Sequence, residues 1–200
     1  FIMNNAVLSA LLGLLVACAA YAGPDTAGHS DVGINVSAAC PSHSRTVTAV
    51  YVGGTYAYGV NEWLALGVSS GWAQFDDSST GDLTEIPLLG EIILRVPVAA
   101  EQQIQPYGVV GLGIAFFDFN ENSAVKAANV SVDVDDAFAV KLGAGADWFI
   151  NENWIVNFEV SYLFADTDVT ARNTVTGASA SVSNVNADNW FVGGGLKYRF

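Results

Sequence analysis

The feature that most constrains this chain is an alternation of period two that recurs in eight stretches and never changes parity: the apolar side chains fall on even numbers. It is cleanest from Asn189 to Phe200. There Trp190, Val192, Leu196, Tyr198 and Phe200 share one face, while Gly193, Gly195, Lys197 and Arg199 share the other. Successive side chains of a β-strand point to opposite faces, so each stretch reads as a strand with an apolar face backed by a small or polar one. A slip of one residue between neighbours would turn a face over, and constant parity is what one continuous wall of in-register strands requires.

The pattern places strands near 30–39, 46–60, 63–75, 84–97, 105–118, 136–150, 154–166 and 188–200. Asn61-Glu62 and Asn151-Glu152-Asn153 are tight turns and Glu101 to Gln105 a moderate one; they alternate with loops at Asp76 to Asp82, Asp118 to Asp136 and Thr167 to Ala187. The last loop has its own alternation and Thr176-Gly177, which points to a hairpin projecting beyond the wall. With eight strands, the short turns and both strand-bearing ends of the chain share the periplasmic side.

Such alternation also suits a soluble barrel with its bulky faces turned inward. Composition argues against that: a water-facing set of Gly, Ala and Ser with few charges is a poor solvated surface, and an eight-stranded interior has little room for rows of Trp, Phe and Leu. The chain is 52% hydrophobic and 14% charged, yet beyond its first residues no apolar run approaches the length of about 18 that a membrane helix needs. The reading is therefore all-β: an eight-stranded antiparallel up-and-down transmembrane β-barrel over 23–200, with lipid outside and a polar interior. A net charge of −13 with seven Lys and Arg excludes nucleic acid as a partner.

Residues 1–22 read as a signal peptide, with an apolar core from Ala6 to Ala20 and Ala20-Tyr21-Ala22 as the cleavage site. Leu15-Val16-Ala17-Cys18 offers a lipoprotein site as the alternative, and Phe1-Ile2 ahead of Met3 leaves the start residue open. Cleavage after Ala22 leaves Cys40 as the sole thiol, placed in a loop.

Three sets of residues stand out. Glu85, Glu91, Arg95, Lys141, Asp147, Glu159, Lys197 and Arg199 share the inward parity and are expected to form a charge network in the lumen, because a lipid-facing Arg or Lys at mid-bilayer costs about 2–4 kcal/mol. The network either plugs the lumen or lines a narrow solute path. Trp72, Phe116, Phe138, Phe164 and Trp190 on the loop side, and Tyr58, Trp148, Trp154, Tyr198 and Phe200 on the turn side, form two interfacial girdles. Asp76, Asp118, Asp136, Asp166 and Asp188, each near a strand end, are candidates for a collar binding divalent cations. His29 and His43 are the only histidines, no zinc or nucleotide motif is present, and no catalytic residue or cofactor is assigned.

The terminal Tyr198-Arg199-Phe200, the stretch Pro106-Tyr107-Gly108-Val109-Val110-Gly111-Leu112-Gly113 and the paired Asn-Glu turns resemble the small outer-membrane β-barrels of Gram-negative bacteria, the broad OmpA/OmpX-type and OmpW-type group. The resemblance implies a location in the outer membrane, contact with its lipid and lipopolysaccharide, a monomer, and a C-terminal strand read by the outer-membrane assembly machinery. It specifies architecture better than role. The role expected is structural or surface-interactive, including adhesion, without catalysis; the alternatives are a narrow, porin-like passage for small or hydrophobic solutes and, behind it, a lipid-modifying enzyme.

Overall fold

The computed structural model describes residues 26–42, 48–77, 81–97, 103–122, 127 and 129–200. The signal peptide with its two cleavage sites, and His43, lie outside these residues. The described residues form ten strands: β1 Ser30–Pro41, β2 Ala49–Gly59, β3 Leu64–Asp77, β4 Gly81–Arg95, β5 Ile104–Glu121, β6 Val130–Val134, β7 Ala137–Phe149, β8 Trp154–Asn173, β9 Ser179–Asn186 and β10 Asn189–Arg199.

Eight of them close a barrel. Antiparallel pairing runs β10-β1-β2-β3-β4-β5-β7-β8 and returns from β8 to β10, so β1 to β10 and β8 to β10 are both fully paired and no sheet edge faces lipid. That satisfies the backbone within the bilayer, where water is not there to do so. Register can be followed around the ring: Asp31 pairs with Ala57, then Gly67, Glu91, Gly111, Lys141, Leu163 and Asn189, and Asn189 pairs with Pro41. The circuit leaves β1 at 31 and returns at 41, a stagger of ten residues that tilts eight strands by about 40°. Every partner on this path has an odd number, which is why parity survives closure.

Even-numbered apolar residues face outward, with Ile34 68% and Phe138 67% exposed. Odd-numbered positions face the lumen, and there small residues make space for large ones. Tyr51 is buried with its ring laid over Gly53 and Gly71, and an added Cβ at Gly71 would overlap the phenol ring. At Gly193 the obstacle is the neighbouring β1 backbone at Val36 and Ser37.

The structure differs from the sequence expectation beyond the loop-side girdle. Asp76 and Asp82 are not loop residues but face each other in a β3–β4 hairpin that continues to Asp77 and Gly81. Strand β8 runs past the wall to Asn173 and turns back into β9, the hairpin that Thr176-Gly177 pointed to, while β6, from a segment read as a loop, flanks its other side. The three form a small sheet standing on the barrel rim, with a bulge between Thr167 and Val169 where it leaves the wall. The Thr167 hydroxyl anchors it by donating to the Asp135 carbonyl.

Replacing Gly71 with Val should force Tyr51 out of its place and destabilise the barrel by about 1–3 kcal/mol, whereas Ser70→Val on the opposite face should change stability little. Urea titration of the lipid-refolded protein, followed by the gel-mobility difference between folded and unfolded chains, would measure both.

Candidate functional site

The charges that parity puts inside do lie inside, and they neutralise one another in two groups. On the turn side, Asp31 receives Arg95 at 2.8 Å and Arg199 at 2.7 Å, joining β1 to both β4 and β10. Arg199 also stacks on the Phe149 ring, 4.8 Å from its centroid. Deeper in the lumen, Lys141 bridges Glu91 at 2.9 Å and Glu159 at 2.7 Å, and Lys197 meets Asp147 at 2.8 Å. Neutral groups stitch these pairs together: Tyr107 donates to Glu159, Asn157 donates to both Tyr107 and Asp147, and Ser69 donates to Glu91.

The balance is complete among these residues. Asp31, Glu91, Asp147 and Glu159 face Arg95, Lys141, Lys197 and Arg199, four negative against four positive. Seven of the eight charges expected from the sequence belong to this set. The eighth, Glu85, stands apart from it, and the hub Asp31 was absent from the expected set although it opens β1 with inward parity.

Glu85 is 1% exposed and has no cation partner among the described residues. Its Oε2 accepts a 2.6 Å hydrogen bond from Nδ2 of Asn189. Strands β4 and β10 are four steps apart on an eight-membered ring, so this bond spans the full diameter of the lumen. Around it the interior is apolar: Tyr51, Phe75, Leu89, Phe117, Leu163 and Phe191 pack with a set of buried alanines, and Tyr51 meets Phe191 edge-on at 5.0 Å. Between this cluster and the ion pairs remains a cavity of about 60 Å³ reached by Asn35, Glu91, Tyr107 and Lys141.

On the loop side of the Glu85–Asn189 bridge the lumen opens into a larger chamber of about 280 Å³. Phe75, Leu83, Phe117 and Phe119 line it from the barrel, and Val134 and Val169 from the projecting sheet. Sequence reasoning missed the chamber. More than half of its lining comes from segments read as loops or as the projecting hairpin, and only the closed ring brings them together over the lumen.

The ten girdle aromatics all face outward. Several are in contact: Trp154 with Tyr198 at 5.1 Å on the turn side, and Tyr162 with both Trp190 and Phe164 on the loop side. The aspartate collar, by contrast, is not assembled as a cation site. Asp76, Asp118, Asp136 and Asp166 are exposed, while Asp188 is buried and accepts from Tyr162 Oη, the Ala165 amide and Asn186 Nδ2. Asp136 accepts from the Phe117 amide and Asp76 from Gln74. Asp118 and Asp166 lie within β5 and β8 rather than at strand ends, and among the described residues no three His, Cys, Asp or Glu side chains converge on a metal position. His29 contacts the Ala27 carbonyl, and Cys40, half-buried and free of any disulfide, lies 3.7 Å from the Thr48 hydroxyl.

A closed eight-stranded wall with an apolar exterior, aromatic girdles and an ion-paired lumen defines an integral outer-membrane β-barrel. The fold agrees with solved proteins of that class: the outer membrane protein OprG of Pseudomonas aeruginosa superposes with a TM-score of 0.74 at 18% identity, covering 90% of this chain and 99% of that one. The Escherichia coli outer membrane protein W superposes with a TM-score of 0.51 at 21% identity, covering 87% and 98%. The chain belongs to the OmpW family, whose model matches residues 74–200.

Outer membrane protein W of Escherichia coli is 35% identical over 105 residues, 50% of this chain and 47% of that protein. An uncharacterised outer-membrane protein of Sinorhizobium fredii is 32% identical over 96 residues, 48% and 40% respectively. The chain thus spans about half the length of the curated relatives it matches. Its place is the bacterial outer membrane.

Replacing Lys141 with Met leaves Glu91 and Glu159 facing each other without their shared cation. Breaking a buried pair in this way costs about 3–5 kcal/mol. Urea titration of the refolded barrel should show a loss of that order for Lys141→Met, a much smaller one for Lys141→Arg, and partial recovery when Glu91→Gln and Glu159→Gln are added.

Proposed function

We propose that the protein takes small apolar molecules from outside the cell into the loop-side mouth of its barrel. The observation that carries this reading is the chamber of about 280 Å³, walled by phenylalanine, leucine and valine. Apolar residues that could have faced lipid or been replaced by polar ones at a solvent-facing rim instead enclose a concave space. Exclusion of water from such a space favours an apolar occupant, and an apolar cavity of about 150 Å³ already accommodates one benzene ring. A two-ring aromatic or a short alkyl chain is the scale that fits.

The lumen below is filled by the aromatic cluster and then by paired charges. That arrangement supports capture of an apolar molecule at the mouth and speaks for a protein that is not a wide aqueous porin. The surface-interaction role has one observation of its own: β9 is exposed at every position from Ser179 to Asn186 except Val185, on a sheet that stands clear of the barrel.

Naphthalene is a suitable probe. Bound to the full chain in lipid nanodiscs, it should show saturable binding above that of empty nanodiscs, and Leu83→Asp, which puts a carboxylate in the chamber wall, should weaken it at least tenfold, about 1.4 kcal/mol. Equal uptake by wild type, variant and empty nanodiscs would contradict the reading.

A further inference from the structure

We infer that the chamber prefers apolar molecules that carry a primary ammonium group, with Glu85 as the receptor of that group. This inference rests on the reading of the chamber as a binding site and names the chemistry of its ligand.

Three observations carry it. The first is charge balance. The four carboxylates of the ion-paired layer, Asp31, Glu91, Asp147 and Glu159, are matched one for one by the four described cations there, and each of those cations lies within 2.9 Å of a carboxylate that is not Glu85. Arg172, the remaining described cation, sits in the projecting part of β8, paired in register with Ser131 and Ser179. Two acids that line the chamber, Glu85 and Asp188, are left without a positive partner among the described residues, and of these Asp188 is satisfied by neutral donors.

The second is an unmet acceptor. Glu85 Oε2 has the amide of Asn189, but Oε1 is buried without a hydrogen-bond partner. Four other buried side-chain atoms share that condition, Asn35 Oδ1, Gln105 Oε1 and Nε and Nη1 of Arg95; of the five, the Glu85 oxygen is the one that belongs to a residue lining the apolar chamber. Leaving a buried acceptor unpaired is costly, and the cost is greater for a charged group. A ligand that brings a donor removes it.

The third is position. Glu85 lies at the floor of the chamber, beside Ala73 and Phe117 in the neighbouring strands. A small residue on one side and a ring on the other leave the apolar part of a ligand against Phe75, Phe117 and Leu83, with its polar end directed down at the carboxylate. The other acid of the chamber, Asp188, is already engaged by a phenol, a backbone amide and a side-chain amide, so it does not compete for the ammonium on equal terms. A charge-assisted bond in such a site is stronger than a neutral one, and the low local dielectric strengthens it further.

The test is a series sharing one naphthyl ring system, measured on the full chain in zwitterionic nanodiscs, with empty nanodiscs subtracted: naphthalene, 1-naphthylmethylammonium and 1-naphthoate. The ammonium is expected to bind at least tenfold tighter than naphthalene, and the carboxylate at least tenfold more weakly. In Glu85→Gln the ammonium's advantage should fall below threefold while naphthalene itself changes by less than threefold. The ¹³C carboxyl resonance of Glu85 should shift on adding the ammonium and not on adding naphthalene, which tests the contact without a substitution. Naphthalene binding with no ammonium preference, or a preference that persists in Glu85→Gln, overturns this inference and leaves the apolar chamber standing. Absence of binding by any of the three overturns both.

Discussion

The structure depends on the pairing of charges in a space too narrow to hydrate them. An eight-stranded ring closed with a stagger of ten residues has an interior wide enough for side chains and little more. Charged residues cannot turn to lipid, and inside they must find each other. Asp31 between two arginines and Lys141 between two glutamates meet that requirement with partners on several strands. The same contacts tie β1 to β4 and β10, and β7 to β4 and β8, so the pairs that neutralise the lumen also brace the wall.

Glycine and alanine make the arrangement possible. Lumenal positions bearing little or no side chain let Tyr51 lie across Gly53 and Gly71, and a run of buried alanines accommodates the rings of Phe75, Phe117 and Phe191. The interior is therefore layered along its length: paired charges toward the turn side, an aromatic and aliphatic layer, a single bridge from Glu85 to Asn189, and an apolar chamber open toward the loops. Each layer is set by which residues occupy odd positions at a given height on the staggered ring.

How much of this could be seen in the sequence follows from the range of the interactions. The wall was legible because its rule is local: Val192, Leu196 and Tyr198 alternate with glycine and cations whatever the rest of the chain does, and the same rule assigned Lys141 and Glu159 to the lumen. Which charge meets which was not legible, since that depends on stagger. Asp31 carried the right parity, but standing before the first apolar residue of β1 it drew no attention, and Glu85 looked like its acidic neighbours until closure put it opposite Asn189 instead of a cation. The projecting sheet was hardest to see. The alternation of Ser179–Asn186 and the Thr176-Gly177 turn did mark the β8–β9 hairpin, but the five residues of β6, Val130–Val134, are too short a run within an acidic segment to separate a strand from a loop until β8 is there to pair with.

The central claim is that the lumen is closed by side chains that satisfy one another, leaving the chamber at its mouth as the usable space. Single-channel recording of the purified protein in planar lipid bilayers tests it most directly. A lumen filled by the aromatic layer and the ion pairs should give no resolvable current steps, at low salt or at molar salt. Discrete ohmic steps that grow in proportion to salt concentration would reveal a continuous water-filled path and contradict the account.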